Sequence, residues 1–132
     1  EKVMALIDGD KLYVGESIGG CENGVCSLAN RSIEFVFAYI EGEDPTYKVI
    51  TDGSWLNDEY YGTIHRLASR GRIKGVVGLV TDWALLQNPN LRIDTHNDNV
   101  VMQGALKKAG FTKCGTIYLA NGDPRIAYQK VR

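Results

Sequence analysis

The sequence predicts a mixed-sheet α/β (α+β) domain with the element order β-β-β-α-β-α-β-β. Three observations carry this. A strand-helix-strand unit in the second half requires parallel neighbours in one sheet. The chain closes on Asn121-Gly122 between apolar and aromatic runs, a hairpin signal that makes the last two strands antiparallel. The apolar period also changes, from short β-branched runs in the first half to helical spacing after Gly75. At 132 residues the chain is the size of one domain, so 1–132 is read as a single unit.

In chain order, the stretch Glu1 to Ile7 reads as the tail of a helix stopped by Asp8-Gly9-Asp10. Leu12 to Glu16 reads as a strand and Gly19 to Asn30 as a loop. Ile33 to Ile40 is β-branched and aromatic, a clear strand whose alternating Phe35, Phe37 and Tyr39 suit a core or sheet surface. A long connection from Glu41 to Asn57, marked by Asp44-Pro45 and Asp52-Gly53, leads to a strand at Gly62 to Ser69. Val76, Val80 and Trp83, with Leu79 and Leu86 beside them, then follow a helical period that Pro89 ends. Leu91 to Thr95 alternates as a short strand. In the next helix Val101, Ala105 and Ala109 recur every four residues, with Met102 and Leu106 widening the stripe. Lys107 and Lys108 complement its dipole and Gly110 suits the left-handed position beyond it. Strands Cys114 to Leu119 and Arg125 to Val131 complete the sheet.

Lys plus Arg number 15 and Asp plus Glu 16, a net charge of -1 that leaves no cationic excess for a nucleic-acid backbone. A composition of 44% hydrophobic and 23% charged residues is that of a folded domain. The longest apolar run, Phe35 to Ile40, is too short to cross a bilayer, so neither a membrane span nor a secretory leader is expected. Cys21, Cys26 and Cys114 cannot all pair within one chain, and free thiols suit a cytoplasmic setting. Cys21 and Cys26 with His65 and His96 could supply four zinc ligands, but the histidines are not spaced as a pair and no metal is expected.

Two clusters carry chemistry. Arg70-Gly71-Arg72-Ile73-Lys74-Gly75-Val76-Val77-Gly78 joins a strand to a helix with three cations and three glycines. Such a turn exposes N–H groups to an anion such as a diphosphate, although a flexible basic surface connection explains it equally. It matches neither the nucleotide P-loop nor the dinucleotide fingerprint. Asp94-Thr95-His96-Asn97-Asp98-Asn99 lies where a strand gives way to a helix, a usual position for ligands. Thr95 and Asp98 approximate a capping box, which accounts for part of the cluster without a ligand.

Arg72-Ile73-Lys74-Gly75 between strand and helix resembles the R/Q-x-x-G-x-G/A acyl-CoA signature of the GNAT superfamily of N-acetyltransferases. Asn99, opening a helix that closes at Gly110-Phe111, resembles the family's second region. Glu43 to Tyr47, Ile64 to Ser69, Asp94 to Asn99, Met102-Gln103 and Cys114-Gly115 are similar to a small bacterial subgroup, and the ordered set spans roughly Leu12 to Lys130. Two positions depart from the pattern. Val77 stands where the family prefers Gly or Ala, and Leu106 aligns with the late-helix Tyr that serves many members as acid. Family members also begin with further elements before the Leu12 strand, most of which are expected to be missing from this chain.

The resemblance implies transfer of an acetyl group from acetyl-CoA to a primary amine of a small molecule or peptide, with no metal. The strands 62–69 and 91–95 would part to admit the pantetheine arm. Backbone groups of Leu67, Ala68 and Ser69 would hold it and polarise the thioester carbonyl. Arg72, Ile73, Lys74, Gly75, Val76, Val77 and Gly78 would cradle the diphosphate, with Asn99 and Gln103 along the arm. His65 is the preferred base, although it reads equally as a packed strand histidine; His96 near the cleft mouth is its rival. Tyr118, on what is expected to be the neighbouring strand, is the acid. A non-catalytic CoA-binding or regulatory module is the alternative. The acceptor is open, and so is a homodimer.

Overall fold

A computed structural model describes residues 2–5, 12–18 and 31–132. Its elements are strands β1 (Lys2–Ala5), β2 (Leu12–Ile18), β3 (Arg31–Glu41) and β4 (Gly62–Ser69), helix α1 (Val76–Gln87), strand β5 (Asn90–Thr95), helix α2 (Val100–Lys108), and strands β6 (Thr112–Tyr118) and β7 (Pro124–Val131). They form one sheet in the order β1-β2-β3-β4-β5-β7-β6. Every neighbouring pair is antiparallel except β4 and β5, which the α1 crossover makes parallel. The mixed α/β class and the order from Leu12 onward follow the sequence reading. Within the stretch Glu1 to Ile7, where a helix tail is expected, the described residues Lys2–Ala5 instead pair with Tyr13–Glu16 as a strand. The open edge of β2 supplies hydrogen bonds that outweigh the helix propensity of Lys2, Met4 and Ala5, which a segment this short cannot turn into a stable helix. The loop read over Gly19 to Asn30, with Cys21 and Cys26, lies outside the described residues.

Both helices cover one face of the sheet. Phe35, Phe37 and Tyr39 alternate on β3 toward that face, all buried, and meet Tyr13 and the Trp83 ring of α1. Val76, Val80, Thr81 and Ala84 are the buried edge of α1 at helical spacing, whereas Leu86 is 74% exposed. In α2 the stripe is centred on Leu106, fully buried between half-buried Met102 and Ala109. Val101, expected in that stripe, is 85% exposed. The helix starts at Val100 with Asn99 as its cap, accepting from the Met102 N–H, and this phase turns Val101 outward. The Thr95–Asp98 capping box is therefore not used, and Thr95 is a buried strand residue. The C-terminus closes as anticipated: Gly110 has φ +93, its N–H reaches the Lys107 carbonyl and the Phe111 N–H reaches that of Leu106.

The opposite face is covered by residues 42–61, which the sequence presents only as a long connection. Asp44 caps a short 3₁₀ turn at Pro45–Tyr47 by accepting from the Thr46 N–H and hydroxyl. Tyr47 then packs with Tyr61, Ile117 and Ala127 in a second, smaller core. Fully buried Gln129 on β7 accepts from the Leu56 N–H at 2.8 Å and donates to Asn57 and Asn90. Those bonds pin the covering segment to the sheet. Gly53 lies so close to the Cys114 carbonyl that any side chain there would collide with it.

Candidate active site

The parallel pair β4–β5 is joined only at Gly62–Leu91 and Thr63–Arg92. Beyond those residues β4 stays paired to β3, and β5 to β7 as far as Thr95–Ile126, but not to each other. A cavity of about 200 Å³ opens there, lined by Ile64 to Leu67 on β4, Ile93 to His96 on and beyond β5, and Asn99 and Met102 at the start of α2. Arg66 and Leu67 together oppose the single residue Phe37, forming a bulge in which Arg66 has φ +54. A left-handed conformation costs a non-glycine residue about 1–2 kcal/mol, and such outliers cluster at ligand sites. Leu67 is half buried against the helix-side core, and Ala68 and Ser69 continue exposed toward α1.

The turn from β4 into α1 bends at Gly71 and Gly75, with φ +81 and +74, values that favour glycine. Gly75 is the N-cap and makes no side-chain capping bond, and the first turn holds no acidic residue. Its first N–H groups and the positive end of the dipole therefore face outward beside a cavity of about 340 Å³ lined by Ile73, Val76, Val77, Gly78 and Lys108. Side chains added at Gly71, Gly75 or Gly78 would meet nothing within 4 Å, so the backbone is bare to an incoming group. Ile73 packs on the core and Lys74 is exposed.

Arg72, expected at the diphosphate, is engaged elsewhere. Its Nε and Nη2 donate to the two carboxylate oxygens of Glu34 at 3.0 and 2.8 Å, and the Glu34 side chain is only 4% exposed. Arg72→Ala removes two charge-assisted bonds from a buried carboxylate, so a stability loss of about 2 kcal/mol is expected in urea unfolding. Unchanged stability with weakened coenzyme binding would return Arg72 to the phosphate role.

On the side of the sheet covered by residues 42–61, His65 Nε2 lies 3.2 Å from Asp44 Oδ2, with both side chains partly buried. Beside it the Tyr47 hydroxyl donates to Asp94 Oδ1 at 2.6 Å, and the Tyr47 and His65 rings are 6.4 Å apart. Burial first, then Asp94, push the Tyr47 hydroxyl well above the ordinary tyrosine value of 10.0. In the unfolded chain this group ionises near pH 10 while the folded one keeps its proton, so its stabilising contribution is present below pH 10 and lost above it. Melting temperature should fall as pH rises past 10, with the slope reduced by about one proton in Tyr47→Phe; equal slopes would contradict it.

The remaining candidates are scattered. His96 lies exposed beyond β5, its Nδ1 accepting from the Asp98 N–H at 3.0 Å. Asn99 and Gln103 are spent on local order: Gln103 donates to the His96 and Asn97 carbonyls. Tyr118 is not on the strand next to β5. It ends the edge strand β6, with β7 intervening, and is 45% exposed. Leu106, fully buried, brings no hydroxyl to the cleft. Cys114 is a buried free thiol, raised above its usual range by burial. No group of three or more potential metal ligands occurs among the described residues, and none of the described helices is long and apolar enough to cross a membrane.

Arg92 went unmarked in the sequence. Only 4% exposed, its guanidinium is held between the rings of Trp55 and Tyr61, 4.1 Å from each centroid. The signal was present in an Arg on a strand facing a connection rich in aromatics.

A mixed seven-stranded sheet, a parallel pair that parts after two residues and an uncapped glycine turn beside the opening agree with a GNAT-like fold, which a comparison with solved structures supports. The crystal structure of a GNAT-family acetyltransferase from Streptococcus agalactiae 2603 is similar to the chain with a TM-score of 0.71 and 31% identity. The match covers 92% of this chain, which spans 65% of the length of that protein. No protein-family model and no curated protein matches the chain.

Proposed function

We propose that this chain is an acetyl-CoA-dependent N-acetyltransferase domain acting on a primary amine of a small molecule or peptide. The observation that carries the reading is the parting of β4 from β5 after Thr63 and Arg92, directly below the bare turn of α1. The residues suit acetyl-CoA. Gly71, Gly75 and Gly78 leave backbone open to a diphosphate, the first turn of α1 offers unspent N–H groups, and Lys108 adds positive charge. The 200 Å³ cavity is lined by residues of both parted strands, where an extended arm would run.

When bound, the coenzyme supplies an acetyl thioester. In this reading main-chain N–H groups at the Arg66–Leu67 bulge polarise its carbonyl, and preorganised donors of this kind contribute about 3 kcal/mol. His65 takes the proton from the attacking amine, its ring oriented by Asp44. The new C–N bond replaces the C–S bond, and the departing sulfur takes a proton delivered through solvent, since Leu106 offers none. Free thiols and a cytoplasmic setting belong to the same reading.

The second reading, a CoA-binding module without turnover, draws on Leu106 and on the commitment of Arg72 to Glu34. Thermal shift with acetyl-CoA and thiol release against an amine panel separate the two. Stabilisation with turnover supports the enzyme, stabilisation without turnover on any amine supports the module, and no stabilisation removes both.

A further inference from the structure

On the face covered by residues 42–61, a second cavity of about 440 Å³ lies between that segment and the paired ends of β4 and β5. Arg92 lines it. The guanidinium is a charge taken out of water, yet among the described residues no carboxylate lies within ion-pair distance of it. Among the described residues Nη2 donates to the Asn57 carbonyl at 2.7 Å, the Tyr61 hydroxyl is a second polar neighbour of the guanidinium, and Nε has no partner. Burial pushes Arg92 below its ordinary value, and Tyr61 and Asp58 offset only part of that push. The Trp55 and Tyr61 rings satisfy the two faces of the guanidinium and leave its edge as the place for hydrogen bonds. Buried charges are ordinarily paired. The missing partner is an anion, and the planar fork of an arginine suits a carboxylate.

The surroundings narrow the ligand further. Glu43, Asp58 and Glu59 line the cavity with Lys48, all exposed at its rim, so three carboxylates face two cations, a setting that disfavours a free dianion and favours a molecule that carries positive charge as well. Arg92 pairs across the sheet with Thr63, and His65, which lines the neighbouring 200 Å³ cleft and stands behind Tyr47 of this cavity, is the next residue of β4 on the same face. Two residues of strand place His65 roughly 7 Å along β4 from Thr63, the partner of Arg92. We infer that this cavity recognises the acceptor: an aminocarboxylate whose carboxylate meets Arg92 while its amine, several bonds away, reaches His65. An ω-amino acid, or the side-chain amine of a diamino acid, has that form; a polyamine lacks the carboxylate. The inference rests on the acetyl-transfer reading for the fate of the amine, but the carboxylate subsite stands on Arg92 alone.

The test compares 6-aminohexanoate with 6-aminohexanamide, which differ only in the charge at one end. By isothermal titration the acid should bind at least tenfold more tightly than the amide, and kcat/KM with acetyl-CoA should favour it to the same degree through KM. Arg92→Gln should abolish the preference; if that variant fails to fold, the wild-type comparison decides alone. Equal affinities, or binding of neither compound, would overturn the carboxylate site, whether or not other amines are acetylated. Tight binding of the acid without acetylation of it or of any other amine would keep the site and overturn the acetyl-transfer reading.

Discussion

Replacing His65 by Gln is expected to lower kcat for acetyl transfer by about 10²–10⁴-fold, the range for losing a positioned general base. Affinity for acetyl-CoA should be unchanged. His65 lies on β4 two residues past the last β4–β5 pair, where the cleft begins, and its Nε2 faces Asp44. A histidine that served only to pack the strand would show the opposite pattern, a lowered melting temperature with kcat intact. Asp44→Asn separates the two roles. The amide still accepts from the Thr46 N–H, so the turn at Pro45–Tyr47 persists, but the charge facing the imidazole is gone. A fall in kcat without loss of stability in Asp44→Asn, smaller than that in His65→Gln, would mark Asp44 as a positioning residue. Wild-type kcat in His65→Gln would remove the histidine from the mechanism and leave deprotonation to solvent.

The part of this site that could be read from the chain is the part written in local pattern. β3, β4, α1, β5 and β7 announce themselves by period and by punctuation at Pro89, Gly110 and Asn121-Gly122, and the glycine turn before α1 needs no tertiary knowledge to be noticed. Partners distant in sequence were hidden. Leu91 to Thr95 alternates like a strand with one wet face, so Arg92 reads as solvated; in the fold, residues 42–61 lie over that face and bury it. The same cover brings Asp44 to His65 and Tyr47 to Asp94, pairs separated by 21 and 47 residues. Arg72 was read by its motif neighbours, while its partner Glu34 lies 38 residues earlier and alternates with Phe35 on β3. Aromatic residues in the 42–61 segment, too many for a solvated connection, were the available hint that it folds onto something.

Gly78→Glu should produce two effects of opposite sign. Gly78 is the third residue of α1, counting from Val76, and a side chain there meets nothing within 4 Å. Replacing a helical glycine gains up to about 1 kcal/mol, and a carboxylate in a first turn that holds none adds about 0.3–1 kcal/mol by interaction with the dipole. The apo protein should therefore melt at the same temperature or higher. Coenzyme binding should move the other way, because the new carboxylate occupies the space and the charge that a diphosphate requires at this turn. A loss of at least 100-fold in acetyl-CoA affinity is expected, about 2.7 kcal/mol. Gly78→Gln carries nearly the same bulk without the charge and should lose less. The divergence between stability and binding is what discriminates, since general damage to the fold would lower both. A stabilised Gly78→Glu protein that binds acetyl-CoA as tightly as the wild type would mean that the α1 turn is not where the phosphates lie, and the coenzyme assignment would fall with it.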